Sequence, residues 1–366
     1  MDDTLFKKKA VILYGARQTG KTTLVKHLLS RHGGTYLNAD EPDIRTKLSN
    51  RSSTALRQLF GAARLLVIDE AQRVENIGLT IKLIVDTYPD LQVIATGSSS
   101  FELADQMKEP LTGRKFEYFL HPISLQELER YQGATETDRL LNKSLIYGLY
   151  PEPVLSGEED ARARLLELSG SYLFKDILKV GLIRNPDGLE KLTRALALQI
   201  SREVSFAEIG QLTGMDRKTV DTYIRILEKA FVIFRLPPYL GNRRNELKKM
   251  VKVYFWDTGI RNAVINNFAP PEMRSDAGAL WENFFIAERI KHLKNNQSSR
   301  TSHFWRTYQQ QEVDYLEDCP GDLLAAEIKT STGRGRISRA FKDAYPQANS
   351  FLISPENWRD LIFAPV

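Results

Sequence analysis

Residues Gly15-Ala16-Arg17-Gln18-Thr19-Gly20-Lys21-Thr22 fit the spacing G-x-x-x-x-G-K-[ST] at every fixed position, and Thr23 continues it. The chemistry that this spacing serves is polyphosphate binding. Glycines let the backbone turn so that successive N–H groups converge on an anion. A helix that starts there adds the positive end of its dipole. Lys21 is placed to reach the β- and γ-phosphates of ATP, and the Thr22 hydroxyl to sit on Mg²⁺. The flanks agree: the apolar run Ala10 to Tyr14 leads in, and Leu24, Val25, Leu28 and Leu29 follow at helical spacing.

A phosphate loop of this kind calls for an acid at the end of a second strand. Leu65-Leu66-Val67-Ile68-Asp69-Glu70 supplies it. Asp69 is the candidate partner of Thr22 at Mg²⁺, and Glu70 the candidate that polarises the attacking water. A third apolar run, Gln92 to Thr96, ends in Gly97-Ser98. Ser98 is a candidate γ-phosphate sensor; a polar strand-to-helix turn is the plainer alternative. Arg114, after Pro110-Leu111-Thr112-Gly113, is a candidate for stabilising transition-state charge, in cis or from a neighbouring subunit. A surface arginine in a turn fits the same residues equally well.

A second set lies in the last hundred residues. Along Leu323 to Lys329 side chains alternate, so Glu327 and Lys329 share a face. Asp314 precedes Glu327 by thirteen residues, a spacing that suits adjacent hairpin strands with the two acids side by side. Paired carboxylates with a lysine can hold Mg²⁺ and position a water for phosphodiester attack. Glu282, on a helix from Leu280 to Glu288, could complete the metal set. A solvated strand face gives the same alternation.

These residues need elements to hold them. Residues 1–120 alternate strand and helix patterns, which predicts an α/β domain with a three-layer αβα core and a parallel sheet. Residues 121–200 read as a helical lid or linker, punctuated by Tyr147-Gly148-Leu149-Tyr150-Pro151-Glu152-Pro153. Residues 201–256 predict a winged helix-turn-helix. Phe206, Ile209 and Leu212 mark one helix, Thr213-Gly214-Met215 a turn, and Asp216 caps a second helix carrying Val220, Tyr223, Ile224 and Leu227. Arg217 and Lys218 fall where a recognition helix meets DNA. Between Asn242 and Lys252 the cations Arg243, Arg244, Lys248, Lys249 and Lys252 stand against Glu246, the pattern of a phosphate-seeking wing. A solvated hairpin would look the same. Residues 257–366 form the C-terminal α/β domain.

The chain has 366 residues, 42% hydrophobic and 27% charged, with a formal net charge of +5. That is enough for two or three globular domains and suits an anionic partner. No apolar run approaches the ~20 residues of a membrane span. The start, MDDTLFKKKAV, does not read as a signal peptide, and the single Cys319 allows neither an intrachain disulfide nor a cysteine zinc cluster. A cytoplasmic protein is expected.

Taken in order, GARQTGKT, LLVIDEAQ, ATGSSSF, LTGR, GLYPEPV, YFWDTGIRNAV, ALWENFFIAE and EVDY…AAEIK resemble the prokaryotic AAA-type (archaeal-ATPase-like) P-loop ATPases that carry a C-terminal DUF4143 domain. The resemblance implies an ATP-binding core, a winged helix and a C-terminal fold of restriction-endonuclease-like type, similar to PD-(D/E)xK nucleases. It assigns the nucleotide site to Gly15, Gly20, Lys21, Thr22, Asp69 and Glu70, and the nuclease-like set to Glu282, Asp314, Glu327 and Lys329. Members usually carry a segment ahead of the P-loop strand that aids adenine recognition; with Met1 fourteen residues before Gly15, a short or missing piece is expected. The function expected is ATP binding and hydrolysis with Mg²⁺, coupled to DNA binding or processing, with nuclease activity left open and a homo-oligomer as one way to supply Arg114. The alternative is an ATP-driven switch that binds a protein partner, with a non-catalytic nuclease-like scaffold.

Overall fold

Buried apolar runs build the first sheet. In the computed structural model, which describes residues 1–98, 110–172, 183, 185–239, 251–307, 309–331 and 335–366, the chain divides into two compact units. The first is Met1–His121 with Lys229–Phe231; the second is Pro122–Glu228 with Val232–Val366.

In the first unit β1 (Ala10–Tyr14), β2 (Thr35–Asn38), β3 (Leu65–Asp69), β4 (Gln92–Gly97) and β5 (Lys115–Phe119) form a parallel sheet in the order β2-β3-β4-β1-β5. Every residue of β1, β3 and β4 is buried, as strands covered on both faces must be. The crossovers include the helices Lys21–His32, Pro42–Leu48, Ser53–Phe60 and Ile77–Thr87. Helix Lys21–His32 buries Val25 and Leu28 against Val11, Leu13, Leu65, Val67 and Ile94, with each such side chain contributing about 2 kcal/mol. Because β4 lies between β1 and β3, the end of β4 separates the phosphate loop from the acid on one carboxyl edge.

The second unit starts with helix Leu125–Gln132, fixed by a capping box in which Ser124 accepts from the Glu127 N–H and Glu127 accepts from that of Ser124. Further on, helices Pro186–Leu198, Phe206–Thr213 and Arg217–Lys229 accompany β6 (Glu203–Val204), β7 (Ile233–Leu236) and β8 (Val251–Phe255), an antiparallel sheet in the order β6-β8-β7. Leu212, expected to mark the buried face of its helix, is exposed instead; Ile209, Gly210 and Thr213 carry the burial. Strand β7 starts after Phe231, which takes φ +58° in the turn.

Helix Ala277–Asn295 then packs with a second sheet of this unit, made of β9 (Thr301–Arg306), β10 (Glu312–Cys319), β11 (Asp322–Ile328) and β12 (Asn349–Ile353) in the order β12-β11-β10-β9. The first three of these run antiparallel, while β12 is parallel to β11, with helix Arg339–Ala344 in the crossover. Among the described residues no helix is long and apolar enough to cross a membrane.

Several sequence segments of the resemblance prove to be architectural. The buried Asp257 carboxylate, from YFWDTG, accepts from the N–H of Leu149 at 2.6 Å and of Ile260 at 3.0 Å. A Cβ at Gly148 would lie 2.0 Å from that carboxylate, so GLYP and WDTG interlock only with glycine there. Asn283, from ALWENF, accepts from the Phe255 N–H and donates to the Phe255 carbonyl, both at 2.8 Å, pinning the long helix to β8. Arg289 pairs with Glu317 at 2.5 and 2.8 Å, both fully buried.

Candidate functional site

The loop between β1 and helix Lys21–His32 is shaped by two glycines. Gly20 has φ +96°, open to glycine and strained for other residues, and a Cβ on Gly15 would lie 2.3 Å from the Leu120 carbonyl oxygen. Gln18, at the exposed tip, also takes a left-handed φ of +62°. Thr19 closes the loop by donating to the Ala16 carbonyl at 2.9 Å. Lys21 lies folded across the loop, its Nζ donating to the carbonyls of Gly15 at 2.9 Å and Ala16 at 2.8 Å. Arg17 is half-buried and Thr23 exposed on the first turn of the helix.

Across the sheet edge, Asp69 gathers three hydroxyls. Thr22 Oγ1 donates to its Oδ2 at 2.8 Å, the Tyr36 hydroxyl to the same oxygen at 2.6 Å, and Thr96 to Oδ1. Burial, then the bond to Asp69, raises the Tyr36 phenol above its ordinary range, so it stays a donor. Glu70 holds φ +52°, a left-handed conformation uncommon outside glycine, and its N–H donates to Thr96 Oγ1 at 3.2 Å. Its carboxylate accepts from Gln72 Nε2, which also reaches Ser98 Oγ at 3.3 Å; Ser98 itself lies 3.4 Å from Glu70 Oε2. The structure thus brings Lys21, Thr22, Asp69, Glu70 and Ser98 to one edge. A hydroxyl and a carboxylate in contact are the hard oxygen donors that Mg²⁺ takes, so the residues fit that ion.

Arg114 is a correction. Strand β5 runs parallel to β1 with Ala10 opposite Lys115 and Tyr14 opposite Phe119. Arg114 therefore stands at the amino edge, about 16 Å of strand away from the loop of its own chain. There it pairs with Asp86 at 2.7 Å. A parallel sheet puts the two ends of a strand at opposite edges, so a cis role is excluded by topology.

In the second unit, Gly214 takes the left-handed conformation between helices Phe206–Thr213 and Arg217–Lys229. Asp216 caps the second helix, accepting from the N–H groups of Lys218 at 2.9 Å and Thr219 at 3.0 Å. Arg217 and Lys218 are exposed on its first turn. Arg243, Arg244, Lys248 and Lys249 lie outside the described residues, as do Ser99 and Ser100. Lys252, counted from sequence among the wing cations, is instead 1% exposed within β8.

That lysine belongs to a carboxylate centre. The register that sets Tyr315 opposite Ala326 carries on to bring Asp314 alongside Glu327. Lys329 Nζ lies 2.7 Å from Glu327 and 3.6 Å from Asp314. Asp314 also accepts from the Ile328 N–H at 2.8 Å. On the other side Lys252 Nζ bonds Glu282 at 3.1 Å and pairs with Glu312, and the Tyr254 hydroxyl donates to Glu282 at 2.6 Å. Burial pushes the Glu282 carboxyl up to about 7, against the pull of Lys252; burial and then Asp314 push Glu327 up to about 7. Burial alone would lower the Lys252 ammonium, but Glu282, Asp314 and Glu312 outweigh it and hold it above its ordinary value. Among the described residues no three acidic, histidine or cysteine side chains are arranged to hold a metal ion. Lys329 lies beside Asp314 and Glu327 as the expected set of Glu282, Asp314 and Glu327 requires, but the set does not fit a metal ion because the buried Lys252 ammonium stands against Glu282 and Glu312.

Sequence reasoning missed Tyr36, Thr96 and Gln72 around the first site, and Lys252, Tyr254 and Glu312 around the second. A signal existed for some of them. Gln72 sits two residues after Glu70, Glu312 shares a strand face with Asp314, and Lys252 and Tyr254 alternate within an apolar run.

Residues 7–129 match the family described as AAA domain. Residues 138–270 match a domain of unknown function (DUF8612), and residues 277–360 another (DUF4143). An uncharacterized protein of Mycobacterium tuberculosis (strain H37Rv) is 26% identical over 343 residues, covering 93% of this chain and 74% of its own. Another, from Methanocaldococcus jannaschii, is 23% identical over 320 residues, with 78% and 71% covered. A third, from Haemophilus influenzae, is 22% identical over 289 residues, with 72% and 70% covered. A chain from the solved "Structure of Drosophila ORC bound to DNA" is 13% identical and covers 67% of this chain and 85% of that one, at a TM-score of 0.23 that carries no inference about fold or ligand. The AAA match implies nucleotide binding, typically with Mg²⁺. Together with the DUF4143 match it supports an AAA-type P-loop ATPase with a C-terminal DUF4143 domain.

Proposed function

We propose that this chain hydrolyses ATP and couples its nucleotide state to DNA binding. The observation that carries the reading is the convergence of Lys21, Thr22, Asp69 and Glu70 on one sheet edge. On binding, the Lys21 ammonium exchanges the Gly15 and Ala16 carbonyls for β- and γ-phosphate oxygens. Thr22 and Asp69 would hold Mg²⁺, which supplies charge neutralisation at the phosphates. Glu70, steadied by Gln72, orients the attacking water, and Ser98 contacts the γ-phosphate. Any part taken by Arg114 is in trans, from a second copy of the chain.

The helix, glycine turn, helix and antiparallel β7 and β8 support a winged helix-turn-helix, with Arg217 and Lys218 directed at DNA. Arg243, Arg244, Lys248 and Lys249 are assigned to phosphate contacts on their sequence alone. The helix, three antiparallel strands, helix and parallel strand of the C-terminal domain support a likeness to PD-(D/E)xK folds. The buried Lys252 between Glu282 and Glu312 favours the second reading of that domain, a non-catalytic scaffold. The test measures ATP turnover and duplex-DNA affinity across a salt series for wild type, Lys21→Ala, and Arg217→Ala with Lys218→Ala. Turnover should vanish in Lys21→Ala. The double variant should bind DNA with a salt slope shallower by about 2. A wild type with no salt-dependent DNA affinity would turn the reading to a protein partner.

A further inference from the structure

The carboxylate centre draws residues from two sheets of the second unit. Glu312, Asp314 and Glu327 come from β10 and β11, Glu282 from the long helix, and Lys252 with Tyr254 from β8. Each lysine there bridges two carboxylates. Lys252 joins Glu282 to Glu312, and Lys329 joins Glu327 to Asp314. The two lysines differ in freedom. Lys329 is 36% exposed at the end of its strand, and its long side chain can turn to solvent. Lys252 is 1% exposed, and its backbone pairs on both sides, with Glu203 of β6 and Leu236 of β7. Its ammonium therefore stays among the acids.

A divalent cation needs several carboxylate oxygens facing one point that no other cation fills. The oxygens of Glu282 and Glu312 already face one point, and the Lys252 Nζ occupies it. We propose that Lys252 is the resident cation of this centre. Its ammonium takes the place where a divalent metal would be coordinated, so the folded protein takes no Mg²⁺ or Mn²⁺ there, and a neutral side chain at position 252 converts the centre into a metal site. The carboxylates that a nuclease would devote to metal serve here to tie β8 to the C-terminal sheet and long helix. This inference is independent of the ATPase reading, and its test contains no nucleotide.

Bound Mn²⁺ is counted from the loss of the free-ion EPR signal, in nucleotide-free full-length protein carrying Thr22→Ala to weaken the other centre. With Lys252 intact, Glu282→Gln and Glu327→Gln should leave the count unchanged. Lys252→Met should gain one equivalent of Mn²⁺, lost again on adding Glu282→Gln, and its melting temperature should rise with Mn²⁺ while that of the parent does not. Lys252→Gln serves as a second neutral variant. A folded neutral variant that gains no Mn²⁺ overturns the proposal, and so does a Mn²⁺ ion held with Lys252 present and lost in Glu327→Gln. If neither neutral variant folds, the Lys252-intact proteins decide by that same comparison.

Discussion

The two polar centres of this chain, the phosphate loop with Asp69 and the carboxylates around Lys252, solve opposite problems. The first keeps its groups ready for something else. Lys21 is satisfied by two carbonyls of its own loop, bonds that a phosphate can replace. Gln18 and Glu70 hold left-handed φ there. The second draws on β8, β10, β11 and the long helix and already holds two lysines among its four carboxylates. Acidic residues in a group therefore say little about function until the cations nearby are located. What separates the proposed working site from the proposed structural one is whether the contacts can be displaced.

That contrast can be broken at either end. The largest effect is expected in the first centre. Glu70→Gln should lower ATP turnover at least about 100-fold while leaving nucleotide affinity and melting temperature near wild type. A fall in stability instead of turnover would make Glu70 a structural residue and erase the distinction. In the second centre the pattern should reverse. Lys252→Met leaves buried carboxylates uncompensated, so it should cost about 3 kcal/mol in urea unfolding at neutral pH, with ATP turnover unchanged. Unchanged stability would mean that the carboxylates reach water without their lysine.

The smallest effect concerns pH. Glu282 and Glu327 have carboxyls raised to about 7 in the folded state, above their unfolded values. Such groups contribute stability that is fully present below the unfolded pKa and lost as pH rises through the folded one. Between about pH 4.5 and pH 7.5 unfolding free energy should therefore fall by about 1–3 kcal/mol from this cluster, which also contains Lys252, Tyr254, Glu312, Asp314 and Lys329. Glu282→Gln should flatten part of that slope, whereas Lys21→Ala should not. A slope unaltered by Glu282→Gln would place the titration elsewhere.

The sequence by itself determined what is local. The phosphate loop is contiguous, its glycines are demanded by backbone geometry within a few residues, and the apolar runs of β1, β3 and β4 mark buried parallel strands. Strand alternation with the thirteen-residue spacing also suffices to set Asp314 beside Glu327. Tertiary structure alone decided the rest. Sheet order put β4 between β1 and β3, which brought Thr96 onto Asp69, and parallel pairing sent Arg114 to the far edge. Pairing on both sides of β8 turned Lys252 inward to acids thirty and sixty residues away in the chain, although it ends a basic run that looks solvated. A side chain's neighbours across a sheet depend on which strands pair, and no periodicity within one strand records its partner.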